Sequence, residues 1–216
     1  MTNIGRHISL AAAVLALWVI PSAQADTIAT FSLTLDGCAG TCASGPFGTI
    51  TLADNLAGMV TVTETLKAGE RFAGTGAGQA IEFQLVNPSA PGLVINVQTA
   101  DFSSAGAATA SSFGSFNQSI VCNTCQGGNA GNPAGPLVFT VTDTAKDISF
   151  ASFIANAGGF FFAADVVGTN GNTGNVASTG PTGVSGGQTP EPASVWLTLG
   201  GVAMVAVRKF RRNNRA

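Results

Sequence analysis

The sequence predicts an all-β fold, an antiparallel β-sandwich or jelly-roll-like ectodomain, with an N-terminal signal helix and a short C-terminal transmembrane helix. Three observations support it. Apolar residues of the central part come in short runs that alternate with polar residues, which is typical of strands. Gly, Pro, Asn and Ser separate these runs, as they do at turns. Half-polar strands need only one buried face each, which favours two antiparallel sheets packed face to face.

Seven strands are readable, and residues 27–35 show the alternation clearly because Ala29, Phe31 and Leu33 share one face. One or two further strands are expected. Residues 147–157 fit a helical turn about as well as a strand, so both assignments stay open. We expect the core to contain Phe31, Phe83, Phe139 and Phe161. The other six strands are predicted at residues 48–52, 59–66, 81–86, 92–98, 136–142 and 159–167.

Residues 1–25 have the organisation of a secretory signal peptide. A cation, Arg6, precedes an apolar core at residues 8–20, and the small residues Ala23 and Ala25 predict cleavage after Ala25. A retained membrane helix is the alternative, but this core is short for a bilayer that needs about twenty apolar residues. The sequence therefore predicts an exported protein.

The exported body, with its predicted ectodomain at residues 26–168, has no His, Trp or Tyr. His7, Trp18 and Trp196 lie in the terminal segments, and the chain contains no Tyr. Catalysis by a His-based triad is therefore excluded in the body. Only three cations (Lys67, Arg71 and Lys146) offset its acidic residues. The resulting negative net charge repels phosphate backbones, so nucleic acid is excluded as a partner.

A pair of carboxylates, as in a glycosidase, is the catalytic arrangement that remains. The acidic residues are scattered, however, and the ordinary interpretation of each is a solvated face or a turn. Sugar sites also use planar aromatic platforms, for which the body offers only Phe. We predict no catalytic residues, no cofactor and no metal site, since no Asp-x-Asp loop pattern supports calcium. The acids considered are Asp36, Asp54, Glu64, Glu70, Glu82, Asp101, Asp143, Asp147 and Asp165.

The four cysteines form two close pairs, Cys38 with Cys42 and Cys122 with Cys125. In an exported protein an even count favours disulfides. Three connectivities are open, and closeness in sequence favours the two local bridges, each closing a Gly-rich loop. A four-cysteine metal site or a redox-active pair is the alternative, but no nearby cation or His is present to hold a thiolate.

A second Gly-rich stretch, residues 74–80, is flanked by strand-like runs. It lacks the Lys and the following helix of a phosphate loop. Gly74, Gly76 and Gly78 are better explained by a turn that needs positive φ. Residues 169–189 are dominated by Gly, Thr, Asn and Ser, and we interpret them as a flexible linker.

The C-terminal segment, residues 190–216, has three parts. Pro190, Glu191 and Pro192 precede an uncharged run, residues 193–207, which is short for a permanent membrane helix. Cations at the end of that run stay in the cytoplasm, so the Pro-Glu-Pro faces outward. A short tail anchor would explain the hydrophobicity and the charge but not the position of the motif. The basic end contains Arg208, Lys209, Arg211, Arg212 and Arg215.

This tail resembles the PEP-CTERM sorting signal of exported bacterial proteins, with residues 190–192 as the motif. Residues 31–54, 72–85, 135–142 and 158–176 also look like one recurring type of PEP-CTERM ectodomain. The resemblance implies processing by an exosortase, a membrane-embedded cysteine transpeptidase, after transient anchoring by the C-terminal helix. It also implies an inner-membrane intermediate, followed by the cell surface or the extracellular space.

The family association is with extracellular polysaccharide and biofilm matrix, which makes polysaccharide a candidate partner. The sequence thus predicts a non-enzymatic protein of the cell surface or matrix. A secreted carbohydrate-binding module or a calcium-dependent adhesin is the alternative function.

Overall fold

Antiparallel strands account for nearly all regular structure in the part of the chain that the computed structural model describes, which is residues 27–186 except positions 39, 41, 43, 56, 57, 90, 129 and 130. The predicted signal peptide, the Pro-Glu-Pro motif, the C-terminal helix and the basic end lie outside the described residues. Within the described part, no helix has the length and apolar character that crossing a membrane requires.

The first sheet has six strands, and all neighbours are antiparallel. Its inward side chains are apolar: Ala29, Phe31 and Leu33 are buried and the residues between them are more exposed. The expected face of this strand is therefore confirmed. In order across the sheet, the strands are Pro181–Gly186 (β16), Thr27–Leu33 (β1), Gly48–Asn55 (β3), Met59–Leu66 (β4), Leu137–Asp143 (β12) and Leu93–Val97 (β7).

The second sheet has eight strands, and three of them have only two residues each. Six strands lie side by side, in the order Leu35–Asp36 (β2), Thr173–Ser178 (β15), Phe162–Val167 (β14), Ile81–Leu85 (β6), Gln118–Cys122 (β11) and Phe102–Ser104 (β8). In addition, Phe153–Ile154 (β13) pairs with β6, and Arg71–Phe72 (β5) pairs with β14.

Phenylalanine side chains join the two sheets. The rings of Phe31 on β1 and Phe162 on β14 are 4.9 Å apart between centroids, in an edge-to-face arrangement. Phe83 on β6 stacks on Phe139 of β12 at 5.4 Å. These contacts place a continuous apolar core between the sheets, in a sandwich-like arrangement. Phe161, the fourth predicted core residue, is only partly buried at the edge of this core.

The outer face of the second sheet is covered by two further segments. A hairpin of Ala108–Ala110 (β9) and Gly114–Phe116 (β10) packs on it through a small apolar cluster that also contains Ala163 and Ala177. The 74–80 loop lies beside the hairpin, where Ser111 N donates a hydrogen bond to Ala77 O at 2.8 Å. As a result, all six residues of β14 are buried.

All seven predicted strands are confirmed, but the expectation of one or two further strands is too low. Most of the strands that were missed have only two or three residues, which carry no periodic signal, and the five-residue β11 was missed as well. The 147–157 segment contains both a helical turn and a strand, the two assignments that the sequence left open. A single 3₁₀ turn covers Phe150–Ser152, and it leads directly into β13.

The linker prediction for residues 169–189 is wrong for the described residues, and the folded domain therefore extends past residue 168. β15 pairs with β14 and β2, and β16 pairs with β1. β15 is buried at its last four residues, of which Val176 belongs to the apolar core. All six residues of β16 are exposed, as an edge strand allows. Backbone pairing, which composition does not report, holds both strands in place.

Candidate functional site in a buried polar cluster

Four acidic residues have 1% exposed surface or less, although the sequence predicted solvated faces or turns for all of them. Glu64, Glu82 and Asp165 have no exposed surface, and Glu70 is 1% exposed. For these four the expectation is wrong. The remaining acids lie at turns or strand ends. Asp54 accepts from Phe150 N, for example, and Asp143 accepts from Ser89 N and Ala145 N.

Strand register brings Glu82, Asp165 and Asn175 to the outer face of the second sheet. Asp165 on β14 is directly opposite Asn175 on β15, and Glu82 on β6 is directly opposite Ala163 on β14. Directly opposed Cβ atoms are about 4.5–5.5 Å apart, and diagonal neighbours are separated by about 7–8 Å. We call these three buried residues the polar cluster.

The 74–80 loop closes over the polar cluster with specific hydrogen bonds. Gln79 N donates to Glu82 Oε1 at 2.6 Å. Thr75 donates twice to Asp165 Oδ2, from its hydroxyl at 2.6 Å and from its backbone N–H at 3.0 Å. Asn175 Nδ2 donates to Ala77 O at 2.8 Å. Each member of the cluster is thus oriented by the loop.

Close approach explains Gly74 and Gly78, whereas backbone conformation explains Gly76. Of Gly74, Gly76 and Gly78, only Gly76 has a positive φ, +80°. A Cβ on residue 78 would lie 2.7 Å from Asn175 Oδ1 and 2.9 Å from Glu82 Oε1. A Cβ on residue 74 would lie 2.7 Å from Cys125 O. The expectation of positive φ is therefore correct at one of the three positions.

Each member of the polar cluster retains one buried oxygen without a hydrogen-bond partner: Glu82 Oε2, Asp165 Oδ1 and Asn175 Oδ1. Burial raises the pKa of Glu82 to about 8; the Gln79 hydrogen bond opposes this rise and the Asp165 charge adds to it. Burial also raises the pKa of Asp165, against the two hydrogen bonds from Thr75. The cluster therefore combines desolvated acids with unused oxygen acceptors.

Glu64 and Glu70 lie apart from the polar cluster. Glu64 has the same parity on β4 as Val60, Val62 and Leu66, and so it faces the core. Burial raises its pKa well above the usual value, and the Glu82 charge adds to the rise. Burial raises the pKa of Glu70 to about 7, and the Lys67 charge opposes that rise.

The first disulfide joins Cys38 and Cys42, as expected, with Cα atoms 5.6 Å apart. Asp36 stabilises its loop by accepting from Cys38 N at 2.7 Å and from Gly40 N at 2.8 Å. Gly37 N donates to Asn175 O at 2.8 Å, which ties the loop to β15. Asp36 and the two sulfurs lie close together, but oxidised sulfur is not a thiolate ligand.

The second disulfide joins Cys122 and Cys125, also as expected, with Cα atoms 5.4 Å apart. Its loop is tied to the start of the 74–80 loop, because Gly127 and Gly74 form an antiparallel bridge. The two disulfide loops thus contact two of the elements that carry or cover the polar cluster. Such bridges indicate an oxidising environment.

The polar cluster is closed to large substrates. Glu82 and Asp165 could serve as a proton-exchanging pair only for a molecule that reached them, and neither has exposed surface. Carboxylate and amide oxygens in such a position suit a small cation. Comparison of the chain with protein-family models, with curated proteins and with solved structures found no match in any of the three.

Two of the buried acids, one of them in the polar cluster, carried a signal in the sequence. Glu64 interrupts the apolar face of β4, and Asp165 follows apolar residues on both faces of its strand, which is the pattern of a strand buried on both sides. Glu82 and Asn175 carried no such signal. Both occupy outward positions, and only the 74–80 loop and the hairpin make those positions interior.

Proposed function

We propose that this chain is an exported, non-enzymatic protein of the cell surface or the extracellular matrix, sorted at its C-terminal Pro-Glu-Pro by an exosortase. The observation that carries the proposal is the order of features in the tail, where the motif precedes a short uncharged run and a basic end. That order places the motif outside the membrane, where a processing enzyme would reach it.

The folded part supports a setting outside the cytoplasm. Both disulfides bridge residues three or four positions apart, in loops that contact the second sheet. Small bridges of this kind persist in oxidising compartments. We infer that the two sheets belong to a jelly-roll-like β-sandwich ectodomain, preceded by a cleaved signal helix and followed by a short transmembrane helix.

A structural or interaction role is favoured over a carbohydrate-binding module. Every Phe in the described residues is buried or partly buried, and the described part of the body has no Trp or Tyr. Planar aromatic platforms for stacking on sugar rings are therefore not offered by the described surface. Extracellular polysaccharide remains the proposed partner through polar contacts.

The decisive experiment replaces Pro190, Glu191 and Pro192 by alanine in the native host. The apolar run and the cations are unchanged, so membrane insertion should persist while processing stops. The variant should accumulate in the membrane with its basic tail, whereas the parent should appear as a shorter species at the surface or in the medium. Pro181→Ala, at an exposed position of β16, is the matched control and should be processed like the parent.

A host that lacks an exosortase supplies the second comparison. There, the parent and the alanine variant should both be retained at full mass apart from the signal peptide. If the parent keeps Arg208 to Arg215 in its native host and fractionates like the variant, the sorting proposal fails and a tail anchor takes its place.

A further inference from the structure

We propose that Glu82, Asp165 and Asn175 bind a Ca²⁺ ion beneath the 74–80 loop. The sequence predicted no metal site, because it contains no Asp-x-Asp loop pattern. The structure places the three residues on three different strands. Only the register of β6, β14 and β15 brings them to one face. The site is independent of the sorting signal and goes beyond the proposed function.

Unused oxygen atoms are the main evidence. Glu82 Oε2, Asp165 Oδ1 and Asn175 Oδ1 are all buried and without a hydrogen-bond partner. A buried polar atom without a partner has a desolvation cost that no interaction offsets, and a charged one costs more. Three such atoms on one covered face of the sheet would be satisfied by a ligand that accepts lone pairs from all of them, and a cation does so.

Asn175 points to a cation independently of the acids. It is 1% exposed, and its Nδ2 donates to Ala77 O at 2.8 Å. Because a carbonyl can only accept, this bond fixes the amide orientation and leaves Oδ1 directed away from Ala77. Oδ1 and Glu82 Oε1 both lie within 3 Å of the Cβ position that Gly78 leaves empty. The amide oxygen and the Glu82 carboxylate thus approach the same point beneath the loop, and no donor bonds to Asn175 Oδ1.

The hydrogen bonds to the two carboxylates favour their ionised forms. Asp165 Oδ2 accepts two bonds from Thr75, and Glu82 Oε1 accepts one from Gln79 N. Donors to a carboxylate stabilise its negative charge. Carboxylates that ligate a metal commonly have this arrangement, in which the second oxygen is held by an outer hydrogen bond.

No side-chain cation of the described residues supplies the balancing charge. Lys67 Nζ donates to Ser44 O, Arg71 NH1 donates to Asn132 O, and Lys146 Nζ donates to the carbonyls of Val86 and Asn87. Two buried carboxylates on one patch are costly without compensation, and a divalent ion neutralises both.

The donor set identifies the class of ion. All three side chains offer oxygen, which suits hard cations rather than Zn²⁺ or Cu²⁺. Ca²⁺ tolerates irregular geometry and bidentate carboxylates, whereas Mg²⁺ demands octahedral geometry and retains several waters. In a site closed by a loop, Ca²⁺ is therefore favoured over Mg²⁺.

The test uses the full exported chain, with both disulfides formed, purified from a host without an exosortase. After treatment with EGTA, CaCl₂ is titrated by calorimetry, and thermal unfolding is followed with and without Ca²⁺. We expect one Ca²⁺ per chain and a rise in Tm of several degrees at about 5 mM Ca²⁺, above the Kd range of about 0.1–1 mM typical of extracellular modules. Mg²⁺ at the same concentration should raise Tm less.

Two variants and a matched control assign the site. Glu82→Gln and Asp165→Asn preserve shape but remove a ligand charge, so each should weaken Ca²⁺ binding at least tenfold and abolish the Tm shift. Glu64→Gln makes the same chemical change at another buried carboxyl, on the opposite sheet, and should keep the full shift. In EGTA at pH 8, Glu82→Gln should have a higher Tm than the parent because a buried charge is gone.

Three outcomes would overturn the proposal. The first is a parent chain whose Tm and calorimetry show no response to Ca²⁺, as expected if the two acids simply share protons. The second is loss of the response in Glu64→Gln to the same degree as in Glu82→Gln. The third is an unchanged response in both cluster variants. Should one variant not fold, the other variant and the parent titration decide.

Discussion

The outer faces of the two sheets are built in opposite ways. On the first sheet, β4 turns Thr61, Thr63 and Thr65 outward, and all three retain solvent exposure. On the second sheet, the outward residues Ala163 and Asp165 of β14 are buried. The difference comes from cover, because the 74–80 loop and the β9–β10 hairpin lie over the second sheet.

Whether other segments cover a sheet face determines whether a polar side chain on that face is hydrated or must find partners within the protein. A threonine on the open face is hydrated and contributes mainly to strand propensity. A carboxyl on the covered face loses water and must find donors, a proton or a cation. One sheet therefore tolerates polar substitution, while the other makes each polar group a specific structural or binding element.

The largest effect is expected for a substitution in the apolar core between the two sheets. Phe83 is fully buried, and its ring contacts those of Phe139, Phe153 and Phe162. Phe83→Ala should destabilise the protein by about 3–5 kcal/mol, since it leaves a large cavity between the sheets. Denaturant unfolding measures this loss. A loss well under about 1 kcal/mol would contradict the placement of Phe83 between the sheets.

The second prediction concerns pH and the buried acid of the first sheet. Because the pKa of Glu64 is raised by burial, the folded protein holds its proton more tightly than the unfolded chain does. Its contribution to stability is complete below the ordinary pKa of 4.5 and is lost as pH rises toward the folded pKa. The slope for one such proton is about 1.4 kcal/mol per pH unit.

Unfolding between pH 5 and 8 in EGTA tests this slope. Burial raises the pKa values of Glu82, Asp165 and Glu70 too, so their contributions have the same sign. Asp143 has a lowered pKa, so its contribution to stability changes with pH only in a more acidic range. Glu64→Gln removes one titrating group, so the stability of this variant should fall less steeply with rising pH than that of the parent. A parent stability that is flat over this range would contradict the burial of these carboxyls.

The third prediction tests the tight approach of the 74–80 loop to the covered face. Gly78→Ala places a methyl group against Asn175 Oδ1 and Glu82 Oε1, at 2.7 and 2.9 Å. We expect a loss of about 1–3 kcal/mol, as is typical of overpacking. Gly183→Ala on the exposed β16 is the matched control, because a Cβ there meets nothing within 4 Å. Equal effects of the two substitutions would show that the loop does not sit on the sheet.

The smallest effect is expected on the open face. Thr65 is exposed on β4 and is paired with the exposed Thr49 on β3. Thr65→Ala should change stability by well under about 1 kcal/mol, through strand propensity and one cross-strand contact. Thermal unfolding would detect a larger loss. A loss above about 2 kcal/mol would mean that this face is covered as well.

Local sequence was sufficient for much of the fold. Alternation of apolar and polar residues located seven of the longer strands and the inward face of β1, because strand periodicity is a property of the chain itself. Closeness in sequence likewise favoured the local disulfides Cys38–Cys42 and Cys122–Cys125, which the structure contains.

Pairing and cover were decided by the tertiary structure. β15 and β16 have the composition of a linker and become strands because β14, β2 and β1 supply their hydrogen bonds. Glu82 and Asn175 occupy outward positions on their strands and become interior because residues 74–80 and 108–116 fold over them. Strand alternation shows which face a side chain points to, but whether that face meets water depends on segments far away in the sequence.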